Sequence, residues 1–116
     1  MLNTIENYRF GKMVINGKDY TADLIIFTDE IKTNWRRKKG HSLHLEDLQI
    51  ILERDIEILV VGTGKFGLVE VSEELKSELE SKNIEIIVEK SDEAVKKYND
   101  LMKKNAKVAG AFHLNC

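Results

Sequence analysis

Ile56 to Gly67, IEILVVGTGKFG, narrows the fold more than any other stretch of the chain. An apolar, β-branched run broken only by Glu57 ends in Gly62, Gly64 and Gly67. Runs of this kind read as buried parallel strands that deliver a loop to one edge of a sheet. In open α/β sheets, ligands gather beyond the carboxyl ends of such strands. With β-like and helical segments on both sides, Ile56–Val61 is expected to be the central strand and Gly62–Gly67 its loop.

The rest of the chain can be placed around that strand. Phe10 to Ile15 alternate weakly, Asn16-Gly17 follows, and Tyr20 to Phe27 is β-like again, so an opening hairpin of roughly residues 11–15 and 19–27 is expected; both turn residues accept φ > 0. Residues 28–44 lack periodicity. They hold Trp35, the basic run Arg36-Arg37-Lys38-Lys39, and His41 and His44. Leu45, Leu48, Ile51 and Leu52 form one helical stripe, with Glu46 and Asp47 favourably placed in its first turn. Ser72 and Ser91 read as N-caps of two further helices. Leu75 and Leu79 mark the buried face of the first. Ala94, Val95, Tyr98, Leu101 and Met102 mark that of the second. Residues 84–88 and 107–114 read as strands. The order β-β-α-β-α-β-α-β predicts a mixed, mainly parallel sheet of about five strands with helices on both faces.

The glycine spacing satisfies G-x-G-x-x-G, but a dinucleotide site needs those glycines to open directly into a helix. Leu68-Val69-Glu70-Val71 is extended in character, and the helix starts only near Ser72. No cofactor is therefore assigned. The glycines read better as a tight turn chosen for φ > 0, with Gly62, Thr63 and Gly64 as a wall of a site. Trp35, Arg36, Arg37 and His41 read either as a solvated basic loop anchored by the tryptophan or as a site for an anion or acidic partner, since guanidinium matches carboxylate and phosphate geometry. His113, near Cys116, invites a Cys–His pair. Strand alternation opposes it, placing His113 on one face and Phe112, Leu114 and Cys116 on the other. His113 reads instead as a hydrogen-bonded histidine at the sheet edge. Neither a complete catalytic constellation nor a metal set is visible.

Composition bounds the remaining classes. At 116 residues the chain suits one domain over 1–116, burying about two-thirds of its unfolded surface. No apolar run approaches the roughly 18 residues of a membrane span, and no targeting segment is visible, so a cytoplasmic location without membrane attachment is the default. A net charge of −2 argues against nucleic acid as the partner of the whole domain.

Several local signatures then combine. Arg9-Phe10-Gly11 precedes the hairpin, and the Trp- and Arg-rich loop runs to Gly40-His41-Ser42. Leu59-Val60-Val61-Gly62-Thr63-Gly64 follows, then Glu93-Ala94-Val95 with Tyr98-Asn99, and a tail from Val108 to Cys116. Together they resemble a widespread family of small domains of unknown function that includes the adipogenesis-associated domain protein and a mitochondrial complex I assembly factor. The resemblance covers nearly the whole chain. It implies a three-layer α/β/α domain with a central mixed sheet, no established enzymatic activity, and a role in assembly or interaction. The family tail usually reads His-x-Thr-Cys. Here Asn115 replaces the threonine, so a hydroxyl role does not carry over. Targeted members carry an amino-terminal extension lacking here, so mitochondrial assembly is not inferred. The leading expectation is a non-enzymatic module for a protein partner, touching it through the Trp35–His44 and Gly62–Gly67 loops. The alternative is a small anionic metabolite bound where those loops meet.

Overall fold

The computed structural model describes residues 2–36 and 41–115. In chain order they form β1 (Ile5–Arg9), β2 (Lys12–Ile15), β3 (Lys18–Tyr20), β4 (Leu24–Phe27), β5 (Ile31–Thr33) and β6 (Ser42–Leu43). A 3-10 turn, Leu45–Leu48, runs into α1 (Gln49–Leu52). Then come β7 (Ile58–Thr63), β8 (Glu70–Val71), α2 (Glu73–Ser81), β9 (Glu85–Glu89), α3 (Ser91–Lys103) and β10 (Val108–His113). The main sheet has five strands in the order β5-β4-β10-β7-β9. A separate sheet holds β1-β2-β3, and β6 pairs with β8.

Three topological expectations need correction. The central strand is β10, with β7 beside it, so the last strand of the chain closes the sheet between two elements already laid down. β10 pairs parallel with β7 and antiparallel with β4; β7–β9 is parallel and β4–β5 antiparallel. The main sheet is thus evenly divided between parallel and antiparallel pairs rather than mainly parallel. The opening hairpin is also shorter than residues 11–15 and 19–27. Asn16 and Gly17 do turn at φ 49° and 81°, joining β2 to β3, but the chain then leaves for the main sheet as β4. The apolar LIIF segment, buried on both faces, demands that separate destination.

Other differences follow from local chemistry. β1, β5 and β6 lie in polar or irregular stretches without a strand-like pattern, where tertiary pairing makes them strands; β8 falls in the Leu68–Val71 segment expected to be extended. The Leu45 stripe yields only a 3-10 turn and one α-helical turn. β9 is a half-exposed edge strand, with Val88 38% exposed, rather than a buried one. Ser72 caps α2 as expected, its Oγ accepting from the Leu75 N–H at 3.1 Å. Ser91 does not cap α3, and its actual partners matter below.

Period-two alternation divides the core between the two faces of the main sheet. On one face Ile25, Phe27, Leu59, Val61, Ala109 and Ala111 pack against Leu48, Ile51, Leu75 and Leu79 of the first two helical segments. On the other, Leu24, Ile26, Val60 and Phe112 meet Ala94, Tyr98 and Met102 of α3 together with Ile5, Met13 and Ile15 of the small sheet. Burial pushes the Tyr98 phenol well above its ordinary pKa, so it stays neutral and donates to the Asn3 carbonyl at 3.2 Å.

Candidate functional site

The carboxyl ends of β7 and β10 lie at the edge of the sheet where the loops of interest meet. Gly62 and Thr63 belong to β7, so the connecting loop starts at Gly64. Among these glycines, positive φ holds for Gly64 (101°) and Gly67 (69°) but not for Gly62. Gly62 is required by proximity. A Cβ there would lie 2.7 Å from Cδ1 of Phe112 and 2.7 Å from Oγ of Ser91. Gly110 is tighter still, at 2.4 Å from Cε2 of Phe112 and 2.9 Å from Cγ2 of Ile26. The Phe112 ring occupies the space that two missing side chains leave on neighbouring strands. The first glycine of the G-x-G-x-x-G spacing therefore makes room for a core ring and is unavailable for close approach to a phosphate.

Ser91 ties this edge together. Its buried hydroxyl donates to the His113 carbonyl (2.6 Å) and accepts from the Gly64 N–H (3.0 Å), while its own N–H donates to the Gly64 carbonyl (3.1 Å). Thr63 Oγ1 donates to the Glu89 carbonyl at 3.1 Å. His113 is the last residue of the central strand and fully buried, so it does not lie on an edge strand. Its Nδ1 lies 2.7 Å from the Gly62 carbonyl; a carbonyl only accepts, so Nδ1 carries the proton. The Trp35 ring lies 5.0 Å from that of His113, and Trp35 Nε1 donates to the Asp47 carbonyl at 2.9 Å.

Trp35, Gly62, Thr63, Gly64 and His113 are thus brought together. Arg36 stands next to them, lining with Trp35, Asp23, Asn34 and Asn115 an open cleft of about 210 Å³. His41 is exposed, joins the fold through its carbonyl, which accepts from Glu70 N–H (2.8 Å), and does not line that cleft. Arg37 and Cys116 lie outside the described residues. Among the described residues, no group of three His, Cys, Asp or Glu side chains is placed to hold a metal, and no helix is long and apolar enough to cross a membrane.

Side chains not singled out from the sequence are the most exposed feature of this edge. Phe10 and Phe66 are 57% and 63% exposed, with ring centroids 6.1 Å apart, and Leu68 is 52% exposed. Each phenylalanine sits at a turn followed by a glycine of positive φ, Gly11 (78°) or Gly67. The first turn is fixed by the Gly11 N–H on the Leu114 carbonyl (2.8 Å). The tail is held on the same side, with Tyr8 Oη donating to Leu114 O (2.8 Å) and Lys65 N–H to Asn115 O (3.1 Å). The available signal is the repetition Arg9-Phe10-Gly11 and Lys65-Phe66-Gly67, a cation, a phenylalanine and a glycine twice over. Lys65 pairs with Asp92 at 3.0 Å, and that hydrogen bond holds the Asp92 carboxyl below the ordinary carboxylate value against the opposing effect of burial.

A second cleft, of about 240 Å³, opens at the opposite edge, floored by Phe27, Ile56, Met102 and Val108. Arg54 stacks 4.1 Å above the Phe27 ring and bonds Asp29 (2.7 Å) and Glu30 (2.8 Å); Lys107 bonds Asp55 (2.8 Å). Its cations are already matched by acids of the chain, and no sequence-predicted site residue lies there.

Comparison with known proteins agrees with the fold and leaves the chemistry open. A conserved hypothetical protein, PH1505, from Pyrococcus horikoshii OT3 superimposes with a TM-score of 0.83 at 28% identity, over 97% of this chain and 99% of that one. A protein from Bartonella henselae described as an outer membrane protein gives 0.81 at 26% identity, over 97% of each chain. A Mth938-like domain from Bordetella pertussis gives 0.70 at 17% identity, over 97% of this chain and 86% of that one, a likeness of fold alone. A family model described as a protein of unknown function, DUF498/DUF598, matches residues 5–113, and the chain belongs to that family.

Proposed function

We propose that this protein is a non-enzymatic interaction module and that it meets its protein partner at the carboxyl edge of the main sheet. The observation that carries the reading is the exposed Phe10–Phe66 pair with Leu68 in the same loop. Aromatic rings on turns fixed by backbone hydrogen bonds lose little entropy on docking and supply large apolar area, and phenylalanine is among the residues enriched at protein interfaces. Covering the exposed part of each ring contributes on the order of 2 kcal/mol. The resemblance to assembly factors read from the sequence supports the same role. The contact surface differs from the expected one, with Phe10 joining the glycine loop and Trp35 lying half-buried against His113. Pull-down from native lysate is expected to recover a discrete partner with the unaltered chain and to lose it with Phe10→Ser/Phe66→Ser. Equal recovery by the doubly substituted chain contradicts the reading.

One observation favours a second reading, a small anion in the 210 Å³ cleft, where Arg36, Asn34 and Asn115 offer donors beside Trp35. The cleft is below the roughly 300–1,000 Å³ of drug-sized pockets, which restricts it to a compact ligand. A thermal-shift screen of small carboxylates and phosphates is the check. A true ligand at 100 times its Kd adds about 2.7 kcal/mol, and Arg36→Ala should remove that shift. A flat screen sinks this alternative.

A further inference from the structure

We infer that the partner segment received by the Phe10–Phe66 edge is acidic, with a bulky apolar residue that lodges against the two rings. The inference rests on the interaction reading above and adds the partner's chemistry. Its first support is where positive charge collects on a chain whose net charge is −2. Arg9 and Lys12 are directly opposite each other in the β1–β2 hairpin, flanking the Phe10-Gly11 turn. Like charges facing across a strand pair are destabilising, and only Lys12 of this pair has an acid of the fold, Asp19, to offset it. Lys65 immediately precedes Phe66, and the Lys90 side chain lies across Gly67, its Cγ 3.2 Å from where a Cβ would stand.

The second support is how these charges are matched. Lys12 bonds Asp19 at 3.1 Å and Lys65 bonds Asp92 at 3.0 Å. Arg9 and Lys90 are exposed and form no ion pair within 4 Å among the described residues, Lys90 acting on the Asp92 carboxylate only at longer range. Four cations, Arg9, Lys12, Lys65 and Lys90, thus border the aromatic pair with two ion-paired acids, Asp19 and Asp92, among them. Carboxylates of a docking segment would meet Arg9 and Lys90 at the rim, which aids encounter and orientation, while its apolar anchor supplies affinity at the rings. A protein segment is favoured over nucleic acid or a lipid surface because both of those present extended arrays of negative charge. Such arrays need many cations free of ion pairs, whereas this edge offers Arg9 and Lys90 beside a local apolar contact.

Fluorescence anisotropy with a short labelled peptide of Asp and Glu around a central Leu-Trp pair tests the inference on the full chain. The acidic peptide is expected to bind, more weakly as salt rises, and at least about tenfold more tightly than its Asn/Gln counterpart. Phe10→Ser/Phe66→Ser and, separately, Arg9→Glu/Lys90→Glu should each weaken it by a similar factor while leaving the melting temperature within a few degrees, since all four positions are exposed. Equal binding of the neutral peptide, or preference for phosphatidylserine vesicles or oligothymidine, overturns the inference. Absence of acidic-peptide binding overturns it as well. If the pull-down still depends on Phe10 and Phe66 in that event, the interaction reading stands without this chemistry. If it does not, both fall.

Discussion

Gly110→Ala is expected to destabilise the protein by about 3 kcal/mol, the upper range for overpacking a core, and to lower the melting temperature by about 10 °C. A β-carbon at that site would stand 2.4 Å from the Phe112 ring and 2.9 Å from Ile26. The ring has nowhere to retreat. Its other side lies over Gly62, Tyr98 meets it edge-on at 6.3 Å, and the residue is wholly buried in the central strand. A smaller side chain should relieve the clash, so Gly110→Ala/Phe112→Leu is expected to be less destabilised than the sum of its single changes by about 1 kcal/mol or more. Chemical denaturation of the four proteins in that cycle measures the coupling. Strict additivity would mean that the ring does not hold the glycines to their identity.

Ser91→Ala should cost about 2 kcal/mol, because it takes a partner from both the buried Gly64 N–H and the His113 carbonyl. The effect should be local as well as global. The amide of Gly64 should exchange with solvent markedly faster in the variant, while amides of α2 keep the protection that overall stability allows. Unchanged exchange at Gly64 would show that the hydroxyl is not what fastens the loop to β10 and α3.

Gly62 and Ser91 mark where the sequence stops being legible. The apolar runs at 24–27 and 58–61 and the stripes of α2 and α3 identify themselves, since their periods reflect which faces are buried. The Asn16-Gly17 turn does so as well, because its φ values restrict residue choice. Strand order does not, because nothing in the Val108–His113 run says that it inserts between β4 and β7. Read locally, Gly62 and Ser91 take the commonest roles for their types, a turn glycine and a helix cap. Both instead answer to residues far along the chain, Phe112 for the glycine and the Gly64 and His113 backbone for the serine. His113 belongs to the central strand and not to an edge strand for the same reason. At the candidate site, the sequence marks Trp35, Gly64 and His113 by residue type, yet their distances come only from the fold. The repeated cation-Phe-Gly triplet marks Phe10 and Phe66 as turn residues, but that their rings stay outside and meet comes only from the folded chain.

Site-specific photo-crosslinking tests the proposed role of that edge most directly. A benzoylphenylalanine at position 66, close in shape to the residue it replaces, should give a discrete protein adduct in native lysate. The same group at exposed Ser77 on α2 should give none. Adduct formation at position 66 should fall when Phe10 is changed to Ser, because the two rings form one contact. No adduct at position 66, or equal adducts at 66 and 77, would contradict the assignment of the Phe10–Phe66 edge as the partner-binding surface.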